Sequence, residues 1–250
     1  EKTFTAPQCE QLADSGCFAI SGGLFPAAGS ALQQATGCPQ GAHIGVLKRI
    51  PAQAGMGGGS SDAATVLLAL NRMWNLRLTV PELQRIAVTL GADVPFFLCG
   101  HNAWVEGIGE IIRPLTGSRQ LPKARFAVVK PEAGLDTREI FSSAALKRDS
   151  DSATILGFAA THYDFGQNDL QNVAQALCPD VKKAIEWLET LGLHGRMTGS
   201  GSAVFAQMQH ATDLSGAPGT WQVRACENLM QHPLAGWAKD ESFGQMPSSI

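Results

Sequence analysis

Residues 51–64 read Pro-Ala-Gln-Ala-Gly-Met-Gly-Gly-Gly-Ser-Ser-Asp-Ala-Ala, the strongest chemical signal in the chain. Glycines let backbone approach a ligand closely and take positive φ. The run leads into Ala63-Ala-Thr-Val-Leu-Leu-Ala-Leu70, a stretch of strong helix formers. A helix start offers unpaired N–H groups and the positive end of the helix dipole. Together these predict an anion site, most often for phosphate. A P-loop would carry lysine after its last glycine, whereas Gly59 is followed by Ser60 and Ser61. The phosphate site is therefore expected over Pro51, Ala52, Gln53, Ala54, Gly55, Met56, Gly57, Gly58, Gly59, Ser60 and Ser61, with the backbone N–H groups after Pro51, which has none, and the serine hydroxyls as donors. A flexible loop that only caps a helix is the simpler alternative.

Asp93 stands in Gly91-Ala-Asp-Val-Pro-Phe-Phe-Leu98, between a helix end and an apolar segment. A carboxylate among apolar neighbours needs a reason, because burying charge is costly. Two roles are open. Asp93 can cap a short helix beginning at Val94-Pro95, or act as a general base for a hydroxyl that attacks phosphorus. Thr198, Gly199, Ser200 and Gly201 form a second glycine-serine turn. Its N–H and hydroxyl groups can approach phosphates, although a plain hairpin turn explains it almost as well. Lys48 precedes the first loop and reads equally as a solvated strand lysine or as a nucleotide contact.

The glycine run resembles the nucleotide-binding motif of the GHMP kinases, the family of galactokinase, homoserine kinase and mevalonate kinase. Leu90-Gly-Ala-Asp-Val-Pro-Phe-Phe-Leu98 and Thr198-Gly-Ser-Gly-Ser-Ala-Val-Phe205 are similar to two further signatures, in the family's order. The resemblance spans about residues 31–237. It implies that Asp93 is catalytic and that Lys48 lies near the nucleotide. It implies that Thr137 and Phe141, in Gly134-Leu-Asp-Thr-Arg-Glu-Ile-Phe141, line the substrate pocket together with the Thr198 turn. An aromatic face suits a cytosine, since base stacking is worth about 1–3 kcal/mol; Phe141 reads equally as a core residue. Asn168-Asp169-Leu170 resembles a recurrent family stretch with a capping role. The family's Pro-Ala-Lys-Leu/Ile-Asn segment and Tyr-His pair have no counterpart: Lys2 is the only lysine before Lys48, and the single tyrosine is Tyr163. The sequence thus reads as an N-terminally incomplete member whose catalytic competence is weakened.

The elements that must position these residues can be read from periodicity and punctuation. Residues 1–30 show no clean period. Ala27 to Thr36 predicts a helix ended by Gly37. Alternation over Ala42 to Ile50 predicts a strand. The helix after the glycine loop is expected to reach about Trp74, and a second, capped by Thr79 with Pro81 and Glu82 in its first turn, ends near Leu90-Gly91. Asn102–Glu106 and Glu110–Arg113 predict a hairpin around Gly107-Ile-Gly109. Arg125–Lys130 is a buried strand stopped by Pro131. Asp149 to Ser152 is a candidate linker. Helices are expected over Asn168–Leu177 and Pro179–Leu191, and strands over Gly195–Thr198, Ala203–Met208 and Trp221–Cys226. The tail after Trp237 is expected to fray.

The bulk numbers close off other classes. The chain has 250 residues and a formal charge of −3, so no basic surface points to nucleic acid. No apolar run spans a bilayer, and the N-terminus lacks a signal pattern, which predicts a cytoplasmic protein with no membrane partner. Six scattered cysteines without a C-x-x-C pair predict buried free thiols, and none of the six histidines has metal-ligand spacing, so no protein metal site is expected.

The expected architecture is α+β, a GHMP kinase-like two-layer fold. Residues 1–120 would form a truncated nucleotide-binding domain like domain 2 of ribosomal protein S5, and residues 121–250 a ferredoxin-like C-terminal domain. The resemblance implies ATP-dependent phosphorylation of the 2-hydroxyl of 4-diphosphocytidyl-2-C-methyl-D-erythritol in non-mevalonate isoprenoid synthesis. ATP and Mg2+ are the implied cofactors, because phosphoryl transfer needs charge neutralised on the β- and γ-oxygens. Asp62 or Ser61 would lie near that ion, and the sequence does not choose between them. A GHMP kinase for another small molecule and a non-catalytic nucleotide-binding fragment are the alternatives. Oligomeric state is not encoded in any motif.

Overall fold

A computed structural model describes residues 24–151, 153–155, 157–158 and 162–239. The unpatterned stretch 1–23, with Cys9 and Cys17, and the tail beyond 239 lie outside the described residues. The chain forms two compact units. One comprises Glu1–Arg49, Gly59–Leu115 and Gln231–Ile250; the other comprises Ile50–Gly58 and Thr116–Met230. The polar stretch Asp149 to Ser152 thus falls inside the second unit rather than at its border.

In the first unit, α1 (Leu24–Thr36) stops where Gly37 takes φ +67, the left-handed position that suits glycine after a helix. Helix α2 (Gly58–Met73) buries Ala63, Val66, Leu67 and Leu70 at helical spacing. It starts inside the glycine run, five residues before the first alanine pair, so Gly58 to Ser61 are its first turn. Asn71 is buried, and its amide is satisfied on both sides by Leu78, donating to the carbonyl at 3.0 Å and accepting from N–H at 2.9 Å. Helix α3 (Val80–Ala87) opens at Thr79, whose N–H and hydroxyl both donate to the Glu82 carboxylate, at 2.7 and 2.8 Å. These bonds hold the Glu82 carboxyl below its ordinary pKa. Helix α4 (Val94–Cys99) ends at Gly100, with φ +72. Strands β1 (Ala103–Glu106) and β2 (Ile111–Pro114) pair antiparallel with Val105 opposite Ile112. Phe25, Leu32, Leu67, Leu83, Val94 and Leu98 form the core of this unit.

Two expectations fail here. Ala42 to Ile50 is not a strand. A strand needs a ladder partner for its N–H and C=O groups, and among the described residues none pairs with this run. The first two residues of the tail expected to fray are anchored instead, since Ala238 is buried and Lys239 O accepts the Val80 N–H at 2.9 Å; the remainder of that tail lies outside the described residues.

The second unit is built on a four-stranded antiparallel sheet in the order β4-β5-β3-β6. The strands are β3 (Arg125–Lys130), β4 (Arg196–Met197), β5 (Val204–Met208) and β6 (Gln222–Glu227). Helices α5 (Thr137–Ser142), α6 (Gln171–Leu177) and α7 (Pro179–Thr190) complete it. Ala127 and Val129 of β3, Val204 and Ala206 of β5, and Val181, Ile185 and Leu188 of α7 share one core. Antiparallel strands beside segregated helices make this an α+β architecture. Of the described cysteines only Cys178 is buried; Cys226 is exposed, and Cys38 and Cys99 are half-buried. The expectation of buried thiols therefore holds at one position. Cys226 sits on β6, an outer strand with almost no buried residue.

Candidate functional site: a glycine loop held by a second glycine turn

The loop Pro51–Gly57 carries three positive φ angles, at Gln53 (+52), Gly55 (+65) and Gly57 (+66), alternating with Ala54 and Met56. Such alternation turns successive N–H groups toward one concavity, the geometry of anion-binding backbone nests. No N–H from Ala52 to Gly57 donates a hydrogen bond among the described residues. The first N–H groups of α2 follow directly, and these have no partner inside the helix. One short stretch therefore presents a continuous row of unpaired backbone donors. Backbone donors without a protein partner, grouped in this way, suit an anion.

Three successive carbonyls at the centre of the loop are used. Gln53 O accepts from Ser202 N–H and Ala54 O from Ala203 N–H, both at 3.2 Å. Gly55 O accepts from the Thr198 hydroxyl at 3.0 Å. A β-carbon at Gly55 would run into Thr198 O and lie 2.6 Å from Gly201 N, and one at Gly199 would lie 2.7 Å from Gly55 O. These two glycines are needed for close backbone approach. The second turn is closed internally by Thr198 N–H to Ala203 O (3.0 Å) and Gly201 N–H to Thr198 O (2.9 Å). Only Gly199 and Ser200 keep N–H groups without an acceptor among the described residues. The main work of this turn is thus to hold the first loop.

A third segment joins them. The Ser202 hydroxyl donates to Ala133 O at 2.5 Å. The Thr137 and Ser200 hydroxyls are hydrogen-bonded at 2.8 Å. Asp136 caps α5 by accepting from Arg138 N–H. Residues 53–55, 134–137 and 198–202 are therefore brought together. Phe141 is exposed and its neighbour Ile140 is buried, so the core reading of Phe141 fails and its ring is open to a ligand. Buried Lys130 donates to the carbonyls of Pro131 and Ala133, at 2.5 and 3.0 Å, fixing the turn that feeds this segment. Burial pushes its pKa down.

Sequence reasoning understated Asn168. Its Oδ1 accepts the Leu170 N–H at 3.0 Å, as a cap should. Its Nδ2 also donates to Met197 O (3.0 Å) and Gly199 O (2.7 Å), on both sides of Thr198. Ser202 belongs to the second glycine-serine motif, but its hydroxyl is spent on Ala133 O rather than on a ligand.

In the first unit, Lys48 is ion-paired with Asp62 of α2. This replaces the solvated-strand reading, since the strand is absent and the ammonium is engaged. Asp93 precedes α4 with helical backbone angles (φ −86, ψ −15), and its side chain makes no cap hydrogen bond. It is exposed, so the cost of burial does not arise. The helix-cap role is not realised, because a capping residue needs extended backbone to turn its side chain onto N2 or N3. The carboxylate has no hydrogen-bond or ion-pair partner among the described residues. No helix among the described residues is long and apolar enough to cross a membrane, and these residues contain no group of three or more His, Cys, Asp or Glu that could hold a metal.

Comparisons with known proteins show the family to which the chain is related. Residues 24–101 match the model of the GHMP kinases N terminal domain, and residues 150–215 match that of the GHMP kinases C terminal. A 4-diphosphocytidyl-2-C-methyl-D-erythritol kinase of Acidovorax sp. (strain JS42) is 72% identical over 214 residues, covering 86% of this chain and 76% of the relative. The protein of that name from Delftia acidovorans is 65% identical over 230 residues, covering 90% and 80%. A crystal structure of a 4-(cytidine 5'-diphospho)-2C-methyl-D-erythritol kinase superposes with TM-score 0.63 at 34% identity, covering 76% of this chain and 70% of that one. The chain belongs to the GHMP kinase family.

Proposed function

We propose that the chain transfers the γ-phosphoryl group of ATP to the 2-hydroxyl of 4-diphosphocytidyl-2-C-methyl-D-erythritol, a small-molecule substrate, in the cytoplasm. The single observation that carries the phosphate half of this reading is the row of unpaired N–H groups from Ala52 into the first turn of α2. The substrate is supported by the activity for which relatives at 72 and 65% identity are named.

In the proposed reaction the loop N–H groups and the hydroxyls of Ser60 and Ser61 bind the triphosphate and stabilise charge that builds on its oxygens. Asp93 accepts the proton of the 2-hydroxyl as that oxygen bonds to the γ-phosphorus and the bond to ADP breaks. Its free, exposed carboxylate supports this role. Phe141 offers a face for the cytosine, and Thr137 and Ser200 offer paired hydroxyls beside it. Magnesium commonly arrives on nucleotide phosphates and takes only one or two carboxylates from the protein. Asp62, which is also ion-paired with Lys48, or Ser61 would be the residue beside it. Bound there, the ion would neutralise charge on the β- and γ-oxygens.

A second reading is that of a non-catalytic nucleotide-binding protein. On that reading these residues bind nucleotide without efficient transfer. Incubation with ATP, Mg2+ and the diphosphocytidyl substrate, followed by 31P NMR, separates the two. The proposal expects a new phosphomonoester and ADP in equal amounts, with mevalonate and homoserine inert. Nucleotide binding without any phosphomonoester would favour the second reading, and transfer to mevalonate instead would overturn the substrate.

A further inference from the structure

The β1–β2 turn is exposed from Val105 to Ile108, yet Gly109 within it is buried. Gly109 has φ +108, and a β-carbon there would fall on the carbonyl oxygen of Ala92, 2.7 Å from its carbonyl carbon and 3.1 Å from its Cα. Ala92 is the residue directly before Asp93. Nothing in the side chain of Asp93 fixes its direction, because the carboxylate has no hydrogen-bond partner among the described residues. Its direction is set by backbone alone. On the C-terminal side that backbone is anchored by Val94 and Pro95, both buried. On the N-terminal side it rests against Gly109.

We infer that Gly109 is a positioning residue for Asp93, acting through Ala92. The inference rests on the reading of Asp93 as general base. A turn glycine needed only for its own conformation would not contact another element. Gly107 is such a glycine: it has φ +69 in the same turn, and the nearest atoms a β-carbon there would meet belong to the flexible carboxylate of Glu110, in the same hairpin. Gly109 alone reaches the segment that carries the carboxylate. A displacement of about 1 Å at a reacting group can cost about 100-fold in rate, so one methyl group at this contact is enough to be read in turnover.

The test compares Gly109→Ala, Gly107→Ala and Asp93→Asn with the unaltered protein, measuring kcat, KM for ATP and Tm. Both alanines strain the same turn, but only the one at Gly109 pushes on Ala92. The inference expects kcat to fall by about 10–100-fold in Gly109→Ala, with KM for ATP held within about twofold. Gly107→Ala should keep the parent kcat. Parent-like kcat in Gly109→Ala would overturn the inference, as would equal losses in both glycine variants that follow a common fall in Tm. Near-normal turnover of Asp93→Asn, or no turnover by the unaltered protein, would instead remove the general-base reading and this inference with it.

Discussion

Thr198 donates its hydroxyl proton to the carbonyl oxygen of Gly55, and Gly199 lies so close to that oxygen that a β-carbon would come within 2.7 Å of it. The two glycine motifs are thus one interlocked object in the second unit. The first loop turns its N–H groups outward because its carbonyls are held by the second.

Gly55→Ala should break that lock. The substitution puts alanine at φ +65, against Thr198 O and Gly201 N. Strain of this kind costs about 1–3 kcal/mol. Denaturant unfolding should show a loss of that size, and ATP affinity should fall with it, since the donor row loses its backing. Unchanged stability and affinity would show that the close approach is dispensable.

Asn168 allows the cap and the clamp to be separated. Asn168→Ala removes both and should cost about 1–3 kcal/mol. Asn168→Asp keeps the acceptor for Leu170 N–H but loses both Nδ2 donors and sets a carboxylate against the carbonyls of Met197 and Gly199. A pure cap would be rescued by aspartate. The clamp is not, so Asn168→Asp should remain destabilised and bind ATP more weakly than the parent in calorimetric titration.

Much of this arrangement was legible in the residues, for physical reasons. The glycine run, Thr79 with Glu82, and the Gly107–Gly109 hairpin are local features whose chemistry is complete within a few residues. The 42–50 strand failed because alternation describes side chains, whereas a strand exists only through partners elsewhere in the chain. The capping role of Asp93 failed because one backbone angle decides it, and composition does not report ψ. The clamp by Asn168 and the bond from Ser202 to Ala133 join residues 69 or fewer positions apart in sequence but far beyond any local window. Only the folded chain displays them.

His232 makes the first unit sensitive to acid. Burial lowers its pKa below the ordinary value of about 6.5, and its Nδ1 accepts the Leu234 N–H at 3.2 Å. The unfolded chain therefore binds this proton more readily than the folded one, and stability is lost as pH falls below about 6.5 through the folded pKa. Tm should drop between pH 7.5 and pH 5.5, and His232→Asn should drop less. An identical pH dependence in both proteins would assign the effect elsewhere.

Asp93→Asn and Asp93→Ala should both leave Tm near the parent value, because the side chain makes no cap bond. As general base its loss should lower turnover by about two to four orders of magnitude, with ATP affinity unchanged. A Tm loss of the size of a helix cap, about 0.5–2 kcal/mol, with activity retained, would restore the structural role.

The phosphate loop carries the account, and ATP binding to Gly58→Val tests it most directly. Gly58 begins α2 and is not among the positive-φ glycines, so valine fits its backbone. Its branched side chain would stand where N–H groups must meet phosphate. Calorimetric titration should show ATP affinity reduced at least tenfold, about 1.4 kcal/mol, with the thermal unfolding transition retained. Undiminished ATP affinity in a folded Gly58→Val protein would contradict the assignment of this loop as the phosphate site.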